Sequence, residues 1–125
     1  MTELTTYGPY SPVRKADNLL FVSGQVGVDP ITKKASSDIA AQTEQALRNM
    51  EDVLRSAEAT LQDVVKTTIF LTDMDDFEAM NAVYEKVFST PRPARSTVCV
   101  RELPRVGGKM PIRVEIEAVA CKELS

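Results

Sequence analysis

The chain predicts an α+β fold in the order β-β-α-β-α-β-β, with one mixed sheet and both helices on one of its faces. Three observations carry that prediction: two stretches with apolar residues at helical spacing, short β-branched runs around them, and a last run alternating like a strand. The 125 residues fit a single domain spanning 1–125, large enough to bury a core and small enough for partner subunits to complete a site.

Leu19 to Gly27 is a short apolar run ending in glycine, and the segment Ser11 to Lys15 precedes it across the polar turn Ala16-Asp17-Asn18. Two strands in a hairpin follow from that arrangement. From Asp38 to Ala57 the apolar residues Ile39, Ala46, Leu47, Met50, Val53, Leu54 and Ala57 recur at three and four positions, with charged residues between them. This is an amphipathic helix capped by Ser37 or Asp38. Val64 to Leu71 is β-branched and reads as a strand. After the acidic turn Thr72 to Asp76, Phe77, Met80, Tyr84, Val87 and Phe88 mark a second amphipathic helix ended by Pro91. Pro91 and Pro93 hold the chain extended and lead into a strand that opens at Arg95. Leu103 to Lys109 connects it to the last strand, from about Ile112 to Cys121.

Alternation in that last strand places Val114, Ile116, Ala118 and Ala120 on one face and Glu115, Glu117, Val119 and Cys121 on the other. Both faces carry apolar residues. With helices on one side only, the second face calls for burial against other subunits, so an oligomer is expected.

Composition excludes several classes. Hydrophobic residues at 43% and charged residues at 26% are ordinary for a globular protein, and no apolar run approaches the roughly 18 residues of a membrane span. The opening Met1 to Thr6 lacks the basic start and apolar run of a signal peptide, so the expected compartment is the cytoplasm. Cys99 and Cys121 stand singly, without Cys-x-x-Cys spacing, and read as small reduced core residues. Histidine is absent. That removes the usual general base, the Ser-His and Cys-His nucleophile pairs and the commonest zinc ligand. A net charge of -3 gives no global basic field, which makes nucleic acid a poor default partner.

Asp73-Met74-Asp75-Asp76-Phe77 resembles an acidic calcium loop only superficially, since the required glycine and distal glutamate are missing, and a helix-capping turn is the better reading. Val106 to Met110 holds a Gly-Lys pair without the remainder of a phosphate loop and reads as a turn. Arg95 is the anomaly: a cation entering a strand that otherwise reads as buried, where a charge needs a partner. It either neutralises Glu115 or Glu117 across strands, or presents its planar fork to a substrate carboxylate. Glu115 is either a solvated edge residue or the holder of an attacking water. Tyr10 is a turn aromatic over the core. Asn81 lies on the apolar stripe between Phe77 and Tyr84, where a buried amide must find partners. Gly24 interrupts a strand and marks a bulge or a close approach.

Taken together, Gly8-Pro9-Tyr10-Ser11, Phe21-Val22-Ser23-Gly24-Gln25, Val64 to Leu71, Asn81-Ala82-Val83-Tyr84, Pro93-Ala94-Arg95-Ser96 and Val114 to Ala118 resemble the Rid family of reactive intermediate deaminases, also called the YjgF family. The resemblance spans nearly the whole chain. It implies a chorismate-mutase-like fold, a homotrimer with a ligand cleft at each subunit interface, and no cofactor. The implied activity is hydrolysis of enamines and imines such as 2-aminoacrylate and 2-iminopropionate to a 2-oxo acid and ammonia. Carried over by position, Arg95 would clamp the substrate carboxylate and Glu115 would activate the water. Tyr10 would wall the pocket, Asn81 would order it, and the backbones of Gly24 and Thr97 would contact the ligand. Two departures stand out: Thr97 replaces a cysteine found in many deaminases, and the stretch Arg105 to Arg113 is several residues longer. The alternatives are a non-catalytic member binding a small carboxylate metabolite or a partner protein at the same cleft, and RNA cleavage, against which the acidic balance and missing histidine count.

Overall fold

A computed structural model describes residues 4–122; the first three residues of the opening segment read above for a targeting signal lie outside them. The elements are β1 (Val13–Ala16), β2 (Leu19–Val26), α1 (Ile39–Ser56), β3 (Val64–Leu71), α2 (Phe77–Val87), β4 (Ala94–Cys99) and β5 (Val114–Cys121). This is the expected order, with short 3-10 turns at Leu61–Asp63 and Met74–Asp76 added. Asp38, not Ser37, caps α1, its carboxylate accepting from the Ala41 amide at 3.1 Å. Asp73 accepts from the Asp75 amide at 2.9 Å and so caps the 3-10 turn that leads into α2, while Asp76 at the start of α2 itself makes no side-chain cap bond.

The sheet runs β1-β2-β5-β3-β4, with β5 antiparallel to both β2 and β3. The pair β3 and β4 is parallel, which requires a crossover, and α2 supplies it. Both helices pack on one face. There Leu20 and Val22 of β2, Ile69 and Leu71 of β3, and Val114, Ile116, Ala118 and Ala120 of β5 meet Leu47, Met50 and Leu54 of α1 and Met80 and Tyr84 of α2. The alternation of β5 is as expected. On the opposite face, Phe21 is paired with Val119 and Phe70 with Val98, and Phe21 and Val98 remain 46% and 42% exposed.

Two expectations fail. Neither cysteine is a core residue: Cys99 is exposed and Cys121 half-buried, because one ends the edge strand β4 and the other faces the uncovered side of β5. The strand entered by Arg95 is likewise not buried in a single copy, since as an edge strand it has a neighbour on one side only.

A buried polar clamp fixes the start of β5. Gln42 of α1 is fully buried; its Nε2 donates to the carbonyls of Ser36 and Pro111 at 2.7 and 2.9 Å, and its Oε1 accepts from the Arg113 amide at 2.8 Å. The Arg113 guanidinium donates twice to the Asp76 carboxylate, at 2.6 and 3.2 Å, and once to the Ser37 carbonyl at 2.8 Å. One set of bonds thus ties together the entry to α1, the entry to α2 and the central strand. The long connection before β5 is also packed, with Leu103, Val106 and Ile112 sharing a small second core with Val26, Val28 and Ala35. A side chain at Gly107 would sit 2.8 Å from both the Ala35 Cβ and the Ile112 Cδ1, and Gly108 has φ +75°, so the Gly-Gly pair is required there.

Removing Arg113 leaves the buried Asp76 carboxylate without its partner. Arg113→Ala should therefore cost about 3 kcal/mol of unfolding free energy, read from urea denaturation at neutral pH.

Candidate functional site

The parallel register sets Arg95 beside Thr67, which is fully buried on the helix face. Arg95 therefore runs beneath α2. Its guanidinium carbon lies 4.8 Å from the Tyr84 ring centroid and 5.7 Å from that of Phe77. Phe77, Asn81 and Tyr84 fall on one stripe of α2, four and then three residues apart, so an amide stands between the two rings that face the arginine. Tyr84 is 4% exposed, and its hydroxyl shares a 2.7 Å hydrogen bond with Thr67 Oγ1. Burial pushes the Tyr84 phenol upward, outweighing the Thr67 hydrogen bond and the Arg95 and Arg92 charges, which lower it. The ring facing Arg95 is therefore a neutral phenol at physiological pH. A cleft of about 400 Å³ is lined by Asn81, Tyr84, Glu85, Arg92, Pro93 and Arg95.

The polar groups of this cleft are unevenly satisfied. Arg92 is committed to the end of α2, donating to the Phe88 carbonyl at 2.9 Å. Arg95 is in none of the ion pairs among the described residues, which join Arg48 to Glu44, Arg55 to Glu51 and Asp52, Arg105 to Glu102, and Arg113 to Asp76. Asn81 Oδ1 and Thr97 Oγ1 are buried without a hydrogen-bond partner. The helix-to-loop bond expected to occupy the Asn81 amide oxygen does not form. Thr97 pairs with Ile69 two residues beyond Arg95, and so takes the same side of β4. Arg95 and the orphan Asn81 oxygen thus share the cleft lining, with the Thr97 oxygen on the same side of β4 but outside that lining.

Glu115 is elsewhere. It pairs with Phe70 on one side and Val26 on the other and faces the uncovered side of the sheet, with Glu117 next on that face. The register of β2 slips between Val22 and Gln25, and Gly24 sits in that bulge. A Cβ on Gly24 would lie 2.5 Å from Glu115 Oε2 and 2.7 Å from its Cδ, so the glycine makes room for the carboxylate. Burial, and next the Glu117 charge, raise the Glu115 carboxyl above its ordinary 4.5. Tyr10 is 46% exposed, its hydroxyl accepts from the Tyr7 amide at 3.2 Å, and it lines a small cavity of about 50 Å³ together with Gly24 and the core residues Val26 and Val53.

The six residues singled out in the sequence thus fall into two groups, Arg95 with Asn81 and Thr97 under α2, and Glu115 with Gly24 and Tyr10 towards β2. Within one copy Arg95 and Glu115 leave the sheet on opposite faces, while Tyr10 lies on the α1 side, beside Asn49 and Val53. The cross-strand pairing of Arg95 with Glu115 or Glu117 is excluded by that alternation. Sequence reasoning missed the Phe77 and Tyr84 cradle and its Thr67 anchor. The helical spacing around Asn81 was visible, but which strand residue it faced depended on the parallel register. Among the described residues no group of three or more His, Cys, Asp or Glu side chains is placed to hold a metal ion, and no helix is long and apolar enough to cross a membrane.

The structure is an α+β protein with an unpaired arginine on its edge strand and a half-buried carboxylate on the opposite sheet face. Residues 1–122 match the family model described as endoribonuclease L-PSP. The chain belongs to that family, the Rid or YjgF family. It is 44% identical over 117 residues to a RutC family protein of Pyrococcus horikoshii, covering 93% of this chain and 89% of that one. It is 40% identical over 114 residues to the human 2-iminobutanoate/2-iminopropanoate deaminase, covering 90% and 80%. The crystal structure of E. coli TdcF with bound serine superposes with a TM-score of 0.86 at 33% identity, covering 94% of this chain and 91% of that one.

A raised carboxyl is one the fold prefers protonated. Its contribution to stability is present below the unfolded carboxyl value of about 4 and is lost as pH rises through the folded value. Carbon-detected NMR titration should place the Glu115 midpoint above 4.5, and Glu117→Gln should move it down.

Proposed function

We propose that the protein is an enamine and imine deaminase, hydrolysing 2-aminoacrylate and 2-iminopropionate-type intermediates to 2-oxo acids and ammonia as a homotrimer. The observation that carries this reading is the unpaired Arg95 fork beside the orphan Asn81 and Thr97 oxygens. The substrate carboxylate takes both N–H edges of Arg95, a bidentate fit that a lysine does not reproduce. Thr97 and Gly24 contribute backbone contacts, and Tyr10 walls the pocket.

Glu115 in its ionised form accepts a proton from a bound water as the water oxygen bonds to the imine carbon. The substrate reacts as its iminium, which 2-aminoacrylate reaches by taking a proton from water at C3, so the π electrons of the C=N bond pass to nitrogen and give a neutral carbinolamine. Glu115 returns its proton to that nitrogen, the C–N bond breaks with its electrons leaving on ammonia, and the hydroxyl gives its proton to solvent, leaving the 2-oxo acid. An imine carbon is already electrophilic, so holding the substrate and directing one water supply most of what the reaction needs. No cofactor enters these steps. The raised Glu115 carboxyl suits a base working near neutral pH.

Arg95 and Glu115 point to opposite sides of their own sheet, so they can address one substrate only when two copies supply them. The uncovered face carrying Phe21, Phe70, Val98 and Val119 supports that assembly. Free Cys99 and Cys121 accord with a reducing compartment, and we assign the activity to the cytoplasm.

Arg95→Ala should lower kcat/KM for freshly generated 2-iminopropionate by about a hundredfold or more. Mixing unfolded Arg95→Ala and Glu115→Gln chains and refolding them together should restore about one quarter of the wild-type rate, because a randomly assembled interface draws both intact residues about one time in four. Refolded mixtures no more active than either variant alone would overturn the shared site. Gly24→Ala should depress turnover while leaving the melting temperature nearly unchanged, since the atoms it meets belong to the flexible Glu115 side chain.

The bound serine of the E. coli TdcF structure favours one second reading, a binder of small carboxylates without turnover. Calorimetric binding of a 2-oxo acid combined with no acceleration of imine hydrolysis would select it.

A further inference from the structure

We infer that Tyr84 and Phe77 are positioning residues that hold the Arg95 guanidinium edge-on to its ligand, and that Thr67 locks this cradle by fixing the Tyr84 ring. The inference rests on the proposed carboxylate-binding role of Arg95 and adds to it the reason the fork is ready before a ligand arrives.

An arginine has several rotatable bonds, and an unpaired one in a cleft would sample many rotamers at a cost paid on binding. Arg95 lacks the ion pair that ordinarily restrains such a side chain. What it has are two aromatic rings, at 4.8 and 5.7 Å from its central carbon. Both fall within the roughly 6 Å over which a ring quadrupole attracts a cation. A ring quadrupole attracts the charge without accepting a conventional N–H···O bond, so the N–H groups a carboxylate needs are not taken by an acidic partner. The cradle therefore restrains the charge without consuming its donors, which an acidic partner would do.

The Tyr84 ring is itself held. Its hydroxyl meets Thr67 Oγ1 at 2.7 Å, Thr67 is fully buried in the parallel partner strand directly beside Arg95, and the Phe88 ring packs at 4.6 Å between centroids. The anchor thus comes from the residue in register with the arginine, so strand, ring and cation are fixed relative to one another. Tyr84 remains a neutral phenol, since burial is the largest influence on it. Arg92, the other cation bordering the cleft, is tied through its Nε to the Phe88 carbonyl at the end of α2 and touches neither ring that holds Arg95.

The test separates the cradle from the fold and from the proposed chemistry. Arg Nε–H resonances of the ligand-free protein should show an ordered Arg95 signal that Tyr84→Leu and Phe77→Leu each broaden or lose, in variants whose thermal unfolding remains cooperative. Kd for 2-oxobutanoate and KM for 2-iminopropionate should rise about tenfold in each, the scale of a largely desolvated cation–π contact. Tyr84→Phe, which keeps the ring and gives up the hydroxyl, should recover most of that affinity. Thr67→Val should loosen the Arg95 signal by a smaller amount. An unchanged Arg95 signal with unchanged Kd and KM in both leucine variants overturns the inference. If the wild type neither binds the 2-oxo acid nor turns over the imine, the proposed function fails, while the Arg95 signal still reports whether the rings hold the guanidinium.

Discussion

The last strand of the sequence occupies the middle of the sheet, and the other elements take their places from it. β5 must satisfy two neighbours with its backbone and two environments with its side chains. Its small and branched residues, Val114, Ile116, Ala118 and Ala120, let α1 approach closely on one side and share a core with α2. Its intervening residues place Glu115 and Glu117 on the other. A slip of one residue would exchange the two sets and bury Glu115 and Glu117 under the helices. The Gln42, Arg113 and Asp76 clamp stands at the strand's first residue, where such a slip would have to begin.

That division explains why the fold was legible in the sequence while the site was legible only in pieces. Helices, strands and the two-faced character of β5 follow from periodicities that each segment carries internally, and Val64–Leu71 was bounded to the residue. The individual site residues also announced themselves, Arg95 as a misplaced cation and Gly24 as an interrupted strand. Their grouping did not. Whether Arg95 shares a face with Glu115 depends on the parallel register of β3 and β4 and on which strand lies between β2 and β3, and neither is encoded in local spacing. The clamp was invisible for the same reason: Gln42 reads as an ordinary polar position on a helix until Pro111 and Arg113 arrive beside it.

The two faces of the sheet hold opposite charges apart. Placed side by side on one face, Arg95 and Glu115 would neutralise each other, and a ligand would have to break that pair in order to bind. The sheet keeps them apart, and the rings of Tyr84 and Phe77 give the arginine a surface to lie on that does not compete for its hydrogen bonds. Glu115 faces burial and a like-charged neighbour, which hold its proton more tightly than water would.

The central position of β5 also governs how the molecule comes to exist. Leu19 at the start of β2 pairs with Cys121 at the end of β5, a contact across nearly the whole length of the chain. β2 and β3 cannot be joined until that strand is available, and until then each presents unpaired backbone on its inner edge. Such distant pairings slow the search for the native topology relative to a helical bundle of the same size. During that interval the hairpin of β1 and β2 has an apolar side and an open edge at once, the combination that invites association between unfinished copies.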